Sequence, residues 1–508
     1  MFPEKFFWGV SMSGFQFEMG DPEGKYIDPN SDWFKWVHDE NNIRTGLVSG
    51  DLPENGVNYW QLYKEDHALA KQLGMNAYRL NIEWSRVFPK PTYDIDIGFK
   101  EKDGIVTYVD LTQDDLERID ELANQEALNH YHEIILDLRE RGFKVILNLV
   151  HFTLPLWLHD PIKARSTKLG KEPLGWLSLR FKFEFAKFAA YIAWKFGDII
   201  DMWSTFNEPS VVAEVGYLMK ESGFPPGVEN FRAHRKVLMN IIQAHTLAHE
   251  LIKKMDTYRA DNDSNSPAEV GLIHNLIPFQ PHNPRKGVDI KATDYMNLIH
   301  NEWILNALTN GWIDKNFNKV MERGEVYSFY RDRLDWLGVN YYTRGVIKGK
   351  WLPFIPIPAI PAIVEGYGFN CEKNSKSRIG RPTSDFGWEI YPEGLEEVLL
   401  FVSNYNLPII ITENGIADEK DTLRPTYIVT HIAVLERLIE EKKVDVRGYL
   451  HWALTDNYEW SHGFKMKFGL FHVDLNSKKR TKRPSADVLK RIIMENDISS
   501  DYLEKYKV

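Results

Sequence analysis

The chain has 508 residues, 43% hydrophobic and 26% charged, the balance of a folded protein, which excludes disorder, collagen and coiled coil over most of its length. With 62 Lys+Arg against 72 Asp+Glu the net charge is −10, which argues against nucleic acid or an anionic membrane as the main partner. A single cysteine, Cys371, excludes intramolecular disulfides and thiolate metal clusters and fits a reducing compartment.

In chain order, a β-rich apolar run at 6–13 comes first, with no charged, apolar and small-residue succession before it. A secretory leader is therefore not expected, and cytoplasmic action is. Leu62, Leu69 and Leu73 then precede Gly74 in a helical pattern, and a second strand run follows at 77–84. The next runs are 144–152, 202–208, 270–279, 336–343, 408–415 and 446–454. Several are nearly continuous in apolar residues, as in Ile409-Ile410-Ile411, the pattern of parallel strands buried on both faces. Between them, Phe181, Phe185, Phe188, Ile192 and Phe196 share one helical face that Gly197 ends. Ile428, Ile432, Leu435 and Ile439 do the same behind Pro425, which suits a first helical turn. Eight strand–helix alternations predict an α/β chain folded as a single (β/α)₈ TIM barrel, one domain over residues 1–508. Two doubly wound domains are the alternative, but no linker or composition break divides the chain.

A plain barrel needs about 250 residues, so the remainder falls in long βα connections. These are expected at 85–125, 153–179, 209–230, 344–389 and 455–483, walling a deep pocket at the C-terminal face. The apolar stretch 351–364 holds four prolines and cannot be a spanning helix. It reads as an apolar loop packed on the barrel rim, with a pocket edge or a subunit contact as alternatives. The polar stretch 256–267 reads as a solvated loop on the opposite side.

The predicted strand ends are unusually polar. Gln16 follows the first; the second carries Arg79, Asn81 and Glu83; the third ends at Asn148 and His151; the fourth ends Asn207-Glu208. The sixth holds Asn340 and Tyr342, the seventh ends Glu413-Asn414, and the eighth gives His451 and Trp452, followed by Glu459 and Trp460. Polar groups in apolar strands cost free energy unless they are paired or used, so a set at nearly every strand end points to a binding site. Glu208 and Glu413 lie on strands that face each other across the mouth. Paired carboxylates so placed serve glycosidic bond cleavage; two separate rim salt bridges are the bland alternative. The 13% aromatic content suits stacking on sugars and suits a large core equally well. Metal chemistry is not expected. His245 and His249 are spaced i, i+4, but no HExxH or third ligand accompanies them, and His130 and His132 read as belonging to a helix start. No glycine-rich phosphate loop opens a helix, and no cofactor is expected.

Thr205-Phe206-Asn207-Glu208-Pro209 and Ile411-Thr412-Glu413-Asn414-Gly415 resemble the acid/base and nucleophile motifs of glycoside hydrolase family 1, the β-glucosidase, β-galactosidase and β-mannosidase family. Phe7-Trp8-Gly9, Trp452 and Asn457-Tyr458-Glu459-Trp460 are also similar, in order along the whole chain. The likeness to archaeal β-glycosidases, with their β-mannosidase branch, includes the run Gly14 to Gly20. The resemblance implies that Glu413 is the nucleophile and Glu208 the acid/base of a retaining reaction, with carboxylates about 5–5.5 Å apart. It implies that Arg79 and Tyr342 hold Glu413 ionised and that Asn207 binds the sugar 2-hydroxyl. Gln16, His151, Glu459 and Trp460 would bind the other hydroxyls, Trp452 would be the stacking floor, and Asn340 would support the acid/base. Substrates would be β-linked oligosaccharides or aryl and alkyl β-glycosides, and a homo-oligomer is expected by analogy with archaeal relatives. Intact Glu459, whose charge would repel phosphate, sets aside the 6-phospho-sugar branch, and intact Glu208 sets aside the thioglucosidases. A sugar-binding barrel without activity and a metal-dependent hydrolase are the competing classes. Family members selective for glucose commonly have His-Trp at the end of the third strand, where this chain has His151-Phe152. The run His-Phe-Thr-Leu-Pro is similar to the β-mannosidase branch, which predicts mannosidase activity comparable to or above glucosidase activity. A broad β-glucosidase/β-galactosidase is the alternative.

Overall fold

Eight parallel strands pair edge to edge and close on themselves. They are β1 (Phe7–Ser11), β2 (Ala77–Asn81), β3 (Lys144–Val150), β4 (Met202–Asn207), β5 (Glu269–Asn275), β6 (Trp336–Asn340), β7 (Ile409–Asn414) and β8 (Val446–His451). Closure is made by β1, which pairs with β2 (Gly9 opposite Ala77) and with β8 (Trp8 opposite Tyr449). The computed structural model describes residues 1–261, 264, 266–351 and 359–507.

Side chains alternate along each strand, so one set points into the bore. Ala77, Ile146, Met202, Ile273, Trp336, Ile410 and Leu450 pack there with Phe7, one residue from each strand. The Trp336 ring lies against Gly271, where any Cβ would come within 2.5 Å of the indole, so the glycine makes room for the largest member of this plug. Helices α1 (Tyr59–Gln72), α2 (Gln125–Glu140), α3 (Phe181–Phe196), α4 (Pro209–Tyr217), α5 (Phe231–Met255), α6 (Trp303–Asn310), α7 (Pro392–Val402), α8 (Arg424–Glu440) and α9 (Pro484–Glu495) join the strands. The aromatic face expected on α3 is buried, with Phe188 stacked on Trp84 at 4.8 Å.

Several local readings need correction. Of the predicted pattern on α1, Leu73 at its end is buried and Leu69 packs against the core, but the fully buried residues of the helix are Tyr59, Trp60, Tyr63, Asp66, His67 and Ala70, and Leu62 is only half covered. Asp66 is taken up by Arg480 (2.8 and 2.9 Å), and His67 meets Tyr59 and Asp137 at 2.7 Å. Pairing removes the penalty for burying these polar groups, so apolar periodicity alone does not choose the face. His130 and His132 lie inside α2, not at its start. β5 stops at Asn275, and Phe279–Pro281 turns away to join a small sheet with Gly345–Lys350 and Ile360–Ile363. The segment 351–364 is thus partly strand. Pro361 is tolerated because it lies on the sheet's edge. Residues 352–358 of that expected loop lie outside the described residues. In the stretch 256–267, Asp256 is buried under Trp203 (2.8 Å), whereas Asp261 binds Lys144 at the foot of β3, on the side opposite the mouth. No helix among the described residues is long and apolar enough to cross a membrane.

Of the connections expected to wall the pocket, 209–230, 344–389 and 455–483 line it, whereas 85–125 and 153–179 contribute no lining residue among the described residues. The connection after β1, residues 12–58, belongs to the same wall and was not legible as such. It carries Gln16, stacks Phe15 on Trp460 and packs Trp33 beside it.

Candidate active site

A cavity of about 350 Å³ opens above the C-terminal strand ends. Of the residues singled out from sequence, Glu208, Glu413, Gln16, His151, Asn207, Tyr342, Trp452, Glu459 and Trp460 line it. Arg79 and Asn340 lie directly beneath and reach it through their partners.

Glu413 ends β7 and is 3% exposed. Arg79 Nη1 donates to its Oε1 at 2.5 Å, and the Tyr342 hydroxyl donates to its Oε2 at 2.7 Å. Both bonds require an acceptor, so the surroundings are built for a carboxylate. The strand can end so tightly because Gly415 follows: a Cβ there would meet the Trp452 carbonyl oxygen at 1.8 Å.

Glu208 follows β4 and caps α4, with φ of +51°, a left-handed conformation costly for a residue with a side chain. Its N–H donates to the Ile273 carbonyl (2.8 Å), and Pro209 starts the helix behind it, so strand and helix fix the strained residue from both sides. Asn340 Nδ2 donates to Oε1 at 2.7 Å and Asn275 Nδ2 to the same oxygen at 3.3 Å. Burial first, and then the charge on Glu413, raise this carboxyl well above the usual range. The two carboxyls in one cavity therefore have unequal surroundings: donors face Glu413, and burial favours the neutral form of Glu208.

Asn207 is oriented by two donors on its Oδ1, Arg79 Nη2 at 2.8 Å and Asn340 Nδ2 at 3.1 Å. His151 faces Arg79 Nη2 through Nδ1 and Asn207 Nδ2 through Nε2, both at 3.1 Å. Burial together with the Arg79 charge pushes the imidazole well below its usual range, and the neutral ring, which keeps one N–H, accepts from only one of these two donors. Trp460 and Trp452 each lie 5.9 Å from His151 in stacked orientation and form an aromatic wall. Gln16 Nε2 donates to Glu459 Oε2 at 3.1 Å, and Asn457 Nδ2 donates to the same oxygen at 2.8 Å. Burial pushes the Glu459 carboxyl up to about 8, against the Asn457 and Gln16 amides, which favour its charged form. Among the described residues no Lys or Arg lines the cavity to bind a phosphate, a second ground for setting aside phosphorylated sugars.

Sequence reasoning missed Asn275, because the strand was read through to Phe279 and its true polar end was hidden. It also missed Glu214 and His300, which line the cavity from α4 and from the segment before α6. The outer half of the cavity, lined by Val215, Met219, Phe224, Ile363, Phe386 and Trp388, carried no periodic signal. Asn81, Glu83, Asn148 and His451 are strand-end polars outside the cavity lining. Glu83 is taken up by the Phe15 N–H and the Thr153 hydroxyl. His245 is consumed by Thr205 and the Arg333 carbonyl, and no group of three or more metal-ligating side chains occurs among the described residues.

A model of glycosyl hydrolase family 1 matches residues 1–119 and 118–498. A β-galactosidase of Pyrococcus woesei is 49% identical over 515 residues, covering 99% of this chain and 99% of that protein. A β-galactosidase of Saccharolobus solfataricus is 46% identical over 501 residues, covering 98% and 96%. The crystal structure of the β-glycosidase from the hyperthermophile Thermosphaera aggregans superimposes with a TM-score of 0.91 at 44% identity, over 100% of this chain and 99% of that one.

Proposed function

The chain belongs to glycosyl hydrolase family 1, and we propose that it is a retaining, exo-acting β-D-glycosidase whose 508 residues form one catalytic domain. The unequal environments of the two carboxyls carry this reading. Glu413, gripped by Arg79 and Tyr342, attacks the anomeric carbon as a carboxylate. Glu208, kept neutral by burial, gives its proton to the departing oxygen. A covalent glycosyl-enzyme results. Glu208, now ionised, takes a proton from water as the water oxygen displaces Glu413, and the sugar leaves with its β configuration. A mechanism-based fluoro-sugar is expected to label Glu413 alone; labelling elsewhere, or an inverted product by NMR, would overturn the assignment.

The enclosed polar end of the cavity supports removal of single non-reducing sugars from short β-linked oligosaccharides. Its apolar outer half supports aryl and alkyl β-glycosides as further substrates. Action in the cytoplasm follows from the reducing-compartment composition. Resistance to heat is supported by the likeness to a hyperthermophile's enzyme, and self-association by the likeness, at 43% identity and a TM-score of 0.86, to a β-glucosidase mutant derived from a hyperthermophilic tetrameric structure.

For the sugar itself, Phe152 supports acceptance of β-mannosides. It lines the cavity, packs on Trp460 at 5.0 Å, and has no donor for the sugar 3-hydroxyl. One missing bond, about 0.5–1.5 kcal/mol, relaxes discrimination without abolishing binding. The names of the archaeal relatives favour a second reading, a broad enzyme that also takes β-galactosides. Comparing kcat/KM on nitrophenyl β-mannoside, β-glucoside and β-galactoside in the wild type and Phe152→Trp decides between them. An unchanged mannose-to-glucose ratio in the variant removes the role given to Phe152.

A further inference from the structure

We infer that His300 and Glu214 are positioning residues for the acid/base carboxyl, acting through Asn275; this rests on Glu208 being the acid/base. Glu208 Oε1 receives Asn275 Nδ2 at 3.3 Å. The Asn275 amide faces Glu208 with its nitrogen, toward the same Oε1 that accepts from Asn340. Its Oδ1 is thereby turned to His300 Nε2, 3.3 Å away, which must carry a hydrogen. On the far side of the ring, His300 Nδ1 lies 2.9 Å from Glu214 Oε2. The chain Glu214–His300–Asn275–Glu208 runs from α4 through the segment before α6 to the end of β5, and back to the residue that caps α4.

Its construction points to a purpose. His300 is 1% exposed and sits in a π-helical stretch, Asn297–Glu302, a widened turn often found at functional sites. The Ser210 hydroxyl, on α4, donates to the His300 carbonyl at 2.9 Å. Asn301 clamps the same stretch to the chain after β5, accepting from the Ile277 N–H at 3.1 Å and donating to the Ile277 carbonyl at 2.7 Å. The backbone of the stretch is thus pinned to α4 and to the chain after β5, while the ring itself meets Glu214 and Asn275. Glu214 Oε1 is buried without a partner, so His300 is the partner that holds this carboxylate. A carboxyl left so exposed to its desolvation cost is retained where its charge is used.

The consequence falls on the oxygens of Glu208. Asn340 and Asn275 both donate to Oε1, which leaves Oε2 as the oxygen that carries and releases the proton. The dyad keeps Asn275 in the donating orientation, and with it the choice of oxygen. The charged and titratable groups facing His300 are Glu214 from α4, His234 from α5, His274 from β5 and, through Asn275, Glu208. Burial pushes His234 and His274 down to about 4 and about 3, and of these neighbours it is Glu214 that meets the far nitrogen of the His300 ring.

The test is the pH profile of kcat/KM on one alkyl β-glycoside and on 2,4-dinitrophenyl β-glucoside, for wild type, His300→Phe, Glu214→Gln and Glu208→Ala. Without the Asn275 donor, Glu208 holds its proton to higher pH. His300→Phe is expected to move the alkaline limb upward by at least half a pH unit and to cost the alkyl glycoside tenfold or more, with the dinitrophenyl substrate changed less than threefold. Glu214→Gln, which keeps the size and an acceptor, is expected to fall between the wild type and His300→Phe. Equal losses on both substrates with an unmoved alkaline limb in both dyad variants would overturn the inference, since a merely structural defect behaves that way. If Glu208→Ala itself loses equally on both leaving groups, the acid/base reading fails first. If it discriminates between them and the dyad variants do not, only the dyad inference falls.

Discussion

The two halves of the cavity are built on opposite principles. The inner half is a lattice of directed bonds, in which Arg79 alone joins Glu413, Asn207 and His151. Most of its side chains spring from strand ends or the residues just after them, joined by Gln16, Glu459 and Trp460 from the connections after β1 and β8. The outer half, around Met219, Phe386 and Trp388, offers area without direction and comes from connections. On the proposed function, the difference separates two tasks. Hydrogen bonds reject a sugar whose hydroxyls point wrongly, because unmatched buried partners are costly, while apolar area accepts any leaving group of suitable size.

The largest expected effect lies in the inner half. Glu413→Gln should lower kcat/KM by roughly 10⁴-fold or more on every substrate. The same change removes a neighbouring negative charge, so the Glu208 carboxyl should titrate at lower pH, read by ¹³C NMR of the labelled carboxyl. No downward movement would mean that burial alone sets its state. Next, Glu208→Ala should cost on the order of 10²–10⁴-fold on alkyl glycosides and far less on dinitrophenyl glycosides, with azide restoring turnover of the latter as a β-glycosyl azide. Gln16→Ala should lower kcat/KM by roughly 5–150-fold, about 1–3 kcal/mol for a buried bond network left open, and equally for all aglycones. Trp388→Ala should raise KM a few-fold for aryl glycosides and leave methyl glycosides alone. If Gln16→Ala proves aglycone-dependent, or Trp388→Ala weakens methyl glycosides equally, the two halves are not separable.

The smallest effect concerns pH and stability. The folded-state pKa of Glu459 is raised, so its contribution is fully present below the unfolded carboxyl value and is lost as pH rises through about 8. Glu459→Gln should therefore flatten the fall in Tm between pH 6 and pH 9, by a few degrees at most, in calorimetry of the empty enzyme. A Tm curve parallel to the wild type would show that Glu459 is hydrated in solution.

What could be read from sequence divides along the same line as the cavity. Strand ends announce themselves, because a polar residue closing an apolar run is costly there unless it is paired or used; Glu208, Glu413, Asn340 and Tyr342 were legible for that reason. Asn275 was not, since Leu276 to Phe279 continue the apolar run and conceal where the ladder stops. Tyr59 to Gln72 was recognisable as a helix, but its buried face was not, because paired Asp66 and His67 are invisible to an apolar period. Glu214 and His300 are 86 positions apart and meet only through tertiary packing. No local pattern marks them.

The plug of one side chain per strand closes the bore beneath the two carboxyls, so the proposed glycosyl-enzyme opens toward the C-terminal mouth. The departing aglycone must clear the same passage that the incoming water uses, so the two half-reactions queue rather than overlap. An alcohol lodged against the apolar outer wall stands ahead of water in that queue. Medium-chain alcohols should therefore intercept the glycosyl-enzyme more efficiently than methanol at equal concentration, turning a hydrolase into a maker of alkyl glycosides by the architecture of its entrance alone.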